Sequence, residues 1–176
     1  MKQVIKNKFP IREKGKETMS QTITEQETVQ TLTIVREVQI AAPAEIAFEA
    51  VLAELGPEGV LPDGNPAGFK FEAWPGGRWY RDLGNNTGHL WAHVQVIKPP
   101  KLLELYGPMP MSYPAANFIQ YRFTSEGSGT RLKFTHRAMG LIPQEHREGM
   151  PQGWEFMLNR MREQAERRAN QKGGKR

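Results

Sequence analysis

The chain has 176 residues, of which 24 are basic, 19 are acidic and none is cysteine. The lack of cysteine excludes disulfides, thiolate metal sites and cysteine nucleophiles, and no stretch approaches the roughly 20 apolar residues that a membrane span needs. The net charge of +5 lies at the ends, because residues 31–159 hold 11 basic and 13 acidic side chains whereas residues 160–176 hold seven and two. We therefore expect a cytoplasmic protein without a nucleic-acid-binding face.

Three segments are predicted along the chain. Residues 1–28 are polar and have no sustained hydrophobic period, which is typical of a disordered extension. Residues 29–169 are expected to form a single domain. Residues 170–176 are predicted to be a disordered basic tail, because their few side chains are mostly charged or small.

The domain is predicted to begin with a strand and a helix. Apolar residues alternate over residues 31–40, which is typical of a strand with one buried face. Pro43 suits an early helical position, and apolar residues at helical spacing continue from there to Leu55. Residues 56–68 are so rich in Gly and Pro that we expect a loop.

Six further strands and a long helix are predicted after this loop. The strands span about residues 69–74, 78–83, 88–98, 102–106, 117–125 and 130–136. His146 is placed in a polar loop that follows them. The helix is predicted from Gln152 onward, because an apolar stripe recurs there at helical spacing. This stripe consists of Trp154, Met157, Leu158, Met161 and Ala165.

Several sequence features together resemble one superfamily. They are PGGRWY at residues 75–80, GHLWAHVQVIKPPKLL at 88–103, GTRLKFTH at 129–136, and Gly153 followed by Trp154. Over residues 31–168 the chain is similar to the SRPBCC (START-like, helix-grip) superfamily. Within it, the closest branch is the one named after the C-terminal domain of the ATPase activator of the 90-kDa heat-shock chaperone.

The resemblance implies an α+β helix-grip fold, in which a curved antiparallel sheet wraps around a long C-terminal helix. It also implies a hydrophobic cavity between the sheet and that helix. From the strand phases and the helical stripe, we predict that the ligand-binding residues of this cavity are Trp79, Arg81, Asn117, Tyr121, Phe123, Phe134, His136, Trp154, Met157, Leu158 and Met161.

The polar members of this set leave two alternatives open. Buried polar groups must be hydrogen-bonded or they cost about 1–3 kcal/mol. Asn117, Tyr121 and His136 therefore either satisfy one another or are kept for a ligand. Arg81 would favour an anionic head group if it shares the inward phase of Trp79, and it would be a surface residue if that phase is wrong.

No metal, cofactor or catalytic site is expected. His89 and His93 lie four residues apart on one strand, which separates them by about 13 Å and prevents them from sharing one ion. With Trp91 they are expected to form an outward face, since Leu90 and Ala92 take the inward phase. No nucleophile motif, carboxylate pair or phosphate-binding glycine loop is recognised.

Three functions remain open. The favoured hypothesis is a protein that binds or transports a hydrophobic or amphipathic small molecule. The first alternative is a module that interacts with a chaperone or another protein partner, which predicts an exposed apolar patch. The second is a polyketide cyclase-like enzyme, which requires Arg81, Tyr121 and His136 to converge. Residues 107–114, GPMPMSYP, are expected either to gate the cavity or to contact a second subunit, so both a monomer and a homodimer remain open.

Overall fold

The structure is a computed structural model that describes residues 26–109 and 111–173. Its elements are β1 (Gln30–Ile40), α1 (Ala44–Leu55), β2 (Phe69–Phe71), β3 (Arg78–Gly84), β4 (Thr87–Lys98), β5 (Leu102–Gly107), β6 (Ala115–Glu126), β7 (Gly129–Gly140) and α2 (Gln144–Gly173). Most of the predicted 1–28 extension lies outside the described residues, and residues 26–28 have no regular secondary structure.

The seven strands form one antiparallel sheet in the order β1-β7-β6-β5-β4-β3-β2. Strands β2 to β7 follow each other as a six-stranded meander, and β1 pairs with the last of them. The long helix α2 packs against the inner face of this curved sheet. The α+β helix-grip fold that the sequence resemblance implies is therefore confirmed.

The core lies between the inner face of the sheet and the two helices. The alternation on β6 and β7 buries one residue in two, as the strand pattern predicts. The inward side chains of these two strands are Asn117, Ile119, Tyr121 and Phe123 on β6 and Leu132, Phe134, His136 and Ala138 on β7, all at most 5 % exposed. The apolar stripe of α2 covers this surface, with Trp154, Leu158, Met161 and Ala165 buried.

The helix α2 begins eight residues earlier than predicted. Gly149 and Pro151 are poor helix formers, so the residues before 152 suggest a loop, yet they are helical from Gln144. Tertiary contacts offset the weak propensity, because His146 Nδ1 lies 2.8 Å from the Tyr113 hydroxyl. The predicted loop position of His146 is thus wrong, although its side chain is exposed.

The C-terminal boundary also differs from the prediction. The helix continues to Gly173, so four residues that were assigned to a disordered tail are helical. Residues 174–176 lie outside the described part of the chain.

Candidate ligand-binding site

A cavity of about 320 Å³ opens between the sheet and the first half of α2. We call it the apolar cavity, because its lining side chains are aliphatic, aromatic or methionine. They are Val60, Leu61 and Pro62 from the loop before β2, Phe69 and Trp91 from the strands, and Met150, Gly153, Trp154, Phe156 and Met157 from α2. Of the eleven predicted ligand-binding residues, Trp154 and Met157 line it.

The outward position predicted for Trp91 is wrong. Its ring packs against Phe69 and Trp79, with centroid distances of 4.7 and 4.9 Å. Trp79 is fully buried, so the three rings form one aromatic cluster on the inner face of the sheet. Trp91 is therefore a wall of the apolar cavity that the sequence interpretation missed.

A β-bulge in β4 causes this reversal. Trp79 pairs with Ala92, whereas the next residue on β3, Tyr80, pairs with Leu90. Trp91 is thus an extra residue in the ladder, and such a residue interrupts the strict alternation of side chains. Leu90, which was predicted to point inward, is accordingly 43 % exposed.

A line of hydrogen bonds connects the cavity wall to the sheet. Trp154 Nε1 donates to His136 Nδ1 at 3.0 Å, and His136 Nε2 lies 2.9 Å from Asn117 Oδ1. Asn117 Nδ2 in turn donates to the carbonyls of Gly107 and Pro108 at 3.2 and 3.1 Å. These contacts fit the alternative in which Asn117 and His136 satisfy one another.

The hydrogen bonds determine the tautomer of His136. Nδ1 must accept, because the indole nitrogen of Trp154 is only a donor. The proton therefore resides on Nε2, which donates to Asn117. Burial lowers the pKa of His136 to about 4, so the imidazole is neutral near pH 7.

The Tyr121 hydroxyl lies deeper in the core. It is fully buried and has no hydrogen-bond partner among the described residues. Burial raises the pKa of the Tyr121 phenol, and the Glu54 carboxylate raises it further. Glu54 itself is buried, with Oε1 at 2.8 Å from Arg160 Nε and Oε2 at 2.6 Å from Gln164 Nε2. This network ties α1 to the second half of α2.

Six of the predicted residues form packed core beside or beyond the apolar cavity. Phe134 contacts the rings of Tyr121 and Trp154, at 5.2 and 4.5 Å between centroids, and Phe123 contacts Phe48 at 5.3 Å. The six residues are Trp79, Tyr121, Phe123, Phe134, Leu158 and Met161, all buried to 5 % exposure or less.

Arg81 lies apart from the other predicted residues. In the sheet, Arg81 on β3 pairs with Phe69 on β2 and with His89 on β4. Its side chain is half-buried and borders a separate polar groove along the β3–β4 hairpin. Leu83, two residues further along the same strand, is 53 % exposed. The cyclase-like alternative requires that Arg81, Tyr121 and His136 converge on one space. None of the three lines the apolar cavity, so they do not converge there.

The outer face of the sheet carries a second apolar surface, which we call the outer groove. It has a volume of about 360 Å³, and its most prominent side chains are Tyr106, Phe118 and Met139. Tyr106 and Met139 are 54 % and 57 % exposed. These residues alternate with buried ones along β5, β6 and β7, which places them on the face opposite α2.

Comparisons with known proteins agree with the architecture. The family described as "Activator of Hsp90 ATPase homolog 1-like protein" matches residues 64–166. No curated protein matches the chain. No helix in residues 26–109 and 111–173 has the length and apolar character needed to cross a membrane.

Solved structures share the fold at low sequence identity. A putative uncharacterised protein from Rhizobium leguminosarum has a TM-score of 0.63 and 21 % identity, covering 81 % of this chain and 99 % of its own. CalU16 from Micromonospora echinospora has a TM-score of 0.54 and 17 % identity, with coverages of 85 % and 93 %. Ara h 8.0201 has a TM-score of 0.55 and 10 % identity, with coverages of 77 % and 98 %.

Proposed function

The chain belongs to the Activator of Hsp90 ATPase homolog 1-like protein family, and from this premise and the apolar cavity we propose that it binds a compact hydrophobic or amphipathic small molecule between its sheet and α2. The apolar cavity carries this proposal. Its volume of about 320 Å³ lies at the lower end of the roughly 300–1,000 Å³ that ligand pockets span. A compact aromatic ligand suits it better than a long-chain lipid.

The lining of the cavity suggests how such a ligand would be held. Phe69, Trp91, Trp154 and Phe156 supply aromatic faces and edges, which favour offset or edge-on contact with another ring. Met150 and Met157 are flexible and polarizable, so they can adapt to the outline of a ligand. The indole N–H of Trp91 is buried and has no partner among the described residues.

A pocket-filling variant tests the proposal. Gly153 lines the cavity, and a Cβ added there meets no atom within 4 Å. Gly153→Leu should therefore add a side chain at the cavity lining and abolish binding of 1-anilinonaphthalene-8-sulfonate, measured by fluorescence titration. The substitution should also raise the free energy of unfolding by up to about 1 kcal/mol, because Gly is a poor helix former.

Gly149 provides the matched control. It lies on the same helix, and a Cβ there also meets nothing within 4 Å, but it does not line the cavity. Gly149→Leu should give a similar gain in stability and leave dye binding intact. Equal dye binding by the wild type and Gly153→Leu would contradict the proposal. Independently of the dye, native mass spectrometry of the purified protein would identify any compound that co-purifies with it.

A protein-binding role is a second candidate, and the outer groove favours it. Exposed apolar patches on soluble proteins often mark interaction sites, and Tyr106 and Met139 are more than half exposed. The partner would be a chaperone of the 90-kDa heat-shock class, as the family description suggests. The test is whether the protein raises ATP hydrolysis by that chaperone and whether Met139→Lys removes the effect. Cytoplasmic location and a monomeric or homodimeric state remain parts of these proposals.

A further inference from the structure

The residues 107–109 are linked by hydrogen bonds to both tryptophans of the apolar cavity, directly to Trp91 and through two other residues to Trp154. Met109 donates its backbone N–H to the carbonyl of Trp91 at 2.7 Å. The carbonyls of Gly107 and Pro108 accept the amide of Asn117, which leads through His136 to the indole of Trp154. One three-residue segment is thus connected to a cavity wall on the sheet and to a cavity wall on the helix.

The segment is closely packed at Gly107, where there is no room for a side chain. A Cβ on Gly107 would lie 2.4 Å from the carbonyl oxygen of Trp91 and 2.5 Å from Cα of Ala92, both backbone atoms that cannot rotate away. Met109 has a φ of 59°, which is uncommon for a residue with a side chain, and it is 6 % exposed. Packing and hydrogen bonds therefore hold Met109 in a backbone conformation that is uncommon for a residue with a side chain.

The link from this segment to α2 is equally well defined. Asn117 and His136 are 1 % and 0 % exposed, so water does not compete for their hydrogen bonds. Every donor in the line has an acceptor, and a reversed amide or the other imidazole tautomer would place donor against donor. The indole of Trp154 is consequently held at a fixed height above the sheet.

We propose that residues 107–109, acting through Asn117 and His136, set the separation of Trp91 and Trp154 and so determine which ligands the apolar cavity accepts. The inference rests on the proposed function. None of these residues lines the cavity, so they are positioning residues for its two indole walls. A hydrophobic pocket discriminates by about 10- to 200-fold for a change of a single methylene, so a small shift of one wall is enough to alter selectivity.

The experiment compares two probes of different shape, 1-naphthol and 1-anilinonaphthalene-8-sulfonate, on the full chain. Only the signal that Gly153→Leu removes is counted, which restricts the measurement to the cavity. Asn117→Leu deletes the amide that joins the segment to His136, and Asn117→Ser is a smaller change in case the first variant folds poorly. Either should change the ratio of the two dissociation constants by about tenfold.

The control removes a buried hydrogen bond elsewhere. Thr130 is 1 % exposed, and its hydroxyl donates to the carbonyl of Ala42 at 2.8 Å, away from the cavity. Thr130→Val should lower stability without changing the ratio. The indole N–H resonance of Trp154, assigned by its loss in Trp154→Phe, should shift in the Asn117 variants and stay in place in Thr130→Val.

The outcomes separate the two proposals. A wild-type chain that binds neither probe overturns the proposed function and the inference with it. Probe binding whose ratio stays within twofold in both folded Asn117 variants overturns the inference alone and leaves the proposed function standing. A tenfold change in the ratio, together with the shifted Trp154 resonance, supports the inference.

Discussion

The first half of α2 borders an open cavity, whereas the second half is packed against α1 and the sheet. Met150, Gly153 and Met157 face the apolar cavity, while Met161 and Ala165 are at most 1 % exposed. The difference lies in what each half meets. A second helix closes one end, and a loop at residues 60–62 covers the other. One helix can therefore border an open cavity along its first half and a tightly packed core along its second half, because different segments cover the two halves.

The largest effect should come from breaking the packed half. Arg160 pairs with the buried Glu54 at 2.8 Å, and its own side chain is 27 % exposed. Arg160→Ala leaves a buried carboxylate with less compensation, so we expect the free energy of unfolding to fall by about 3 kcal/mol. Urea denaturation measures this loss, and dye binding by the folded variant should be unchanged.

An exposed ion pair on the same helix is the control for this prediction. Arg167 lies 3.7 Å from Glu163, and both side chains are more than half exposed. Arg167→Ala should cost less than about 0.5 kcal/mol. Equal losses in the two variants would mean that the buried network does not stabilise the packed half.

Two methionines on α2 allow a direct comparison of the halves. Met161 is 1 % exposed in the packed half, so Met161→Ala should create a void and cost about 3 kcal/mol. Met157 is half-buried beside space that already exists, so Met157→Ala should cost about 1 kcal/mol. Only Met157→Ala should change probe affinity, measured by fluorescence titration. A larger loss of stability for Met157→Ala would contradict the division.

A further predicted effect concerns pH at the boundary between the halves. Burial lowers the pKa of His136 from about 6.5 to about 4, so below pH 6.5 the unfolded state binds a proton that the folded state does not. Stability therefore falls as the pH drops from 6.5 to 4, by about 2 kcal/mol at pH 5. Urea denaturation between pH 5 and 8 measures the slope.

The control for the pH prediction is a variant without the buried imidazole. His136→Asn keeps a group that can accept the Trp154 N–H but does not titrate in this range. Its stability should depend less on pH between 5 and 6.5 than that of the wild type. Identical slopes in the two proteins would show that His136 does not cause the dependence.

Most of the fold could be predicted because its signals are local. Alternation along β6 and β7 identifies their buried faces, and the spacing of Trp154, Leu158 and Met161 identifies the buried stripe of α2. Each of these periods lies within a single strand or helix, so it can be recognised from the sequence without knowledge of which segments pair. The early start of α2 could not be predicted in this way, because contacts such as His146 with Tyr113 override weak helix formers.

The candidate site was harder to predict because it depends on pairings between distant segments. Trp91 turns inward because of its register with β3, which no period within β4 reveals. Glu54 reads as a surface residue of α1, and its partners Arg160 and Gln164 lie more than 100 residues away. The hydrogen bond from Trp154 to His136 likewise forms only once the sheet and α2 are assembled.

The bulge at Trp91 makes the chemistry of the cavity depend on chain length as well as on residue type. Removing Leu90 from β4 would place Trp91 opposite Tyr80, which would restore regular pairing with β3 and return the indole to the outer face. An insertion or deletion there would replace the side chain that forms this wall of the cavity, whereas a substitution would only change its size or shape. Under the proposed function, relatives that differ in length at this strand should differ in the compounds they bind.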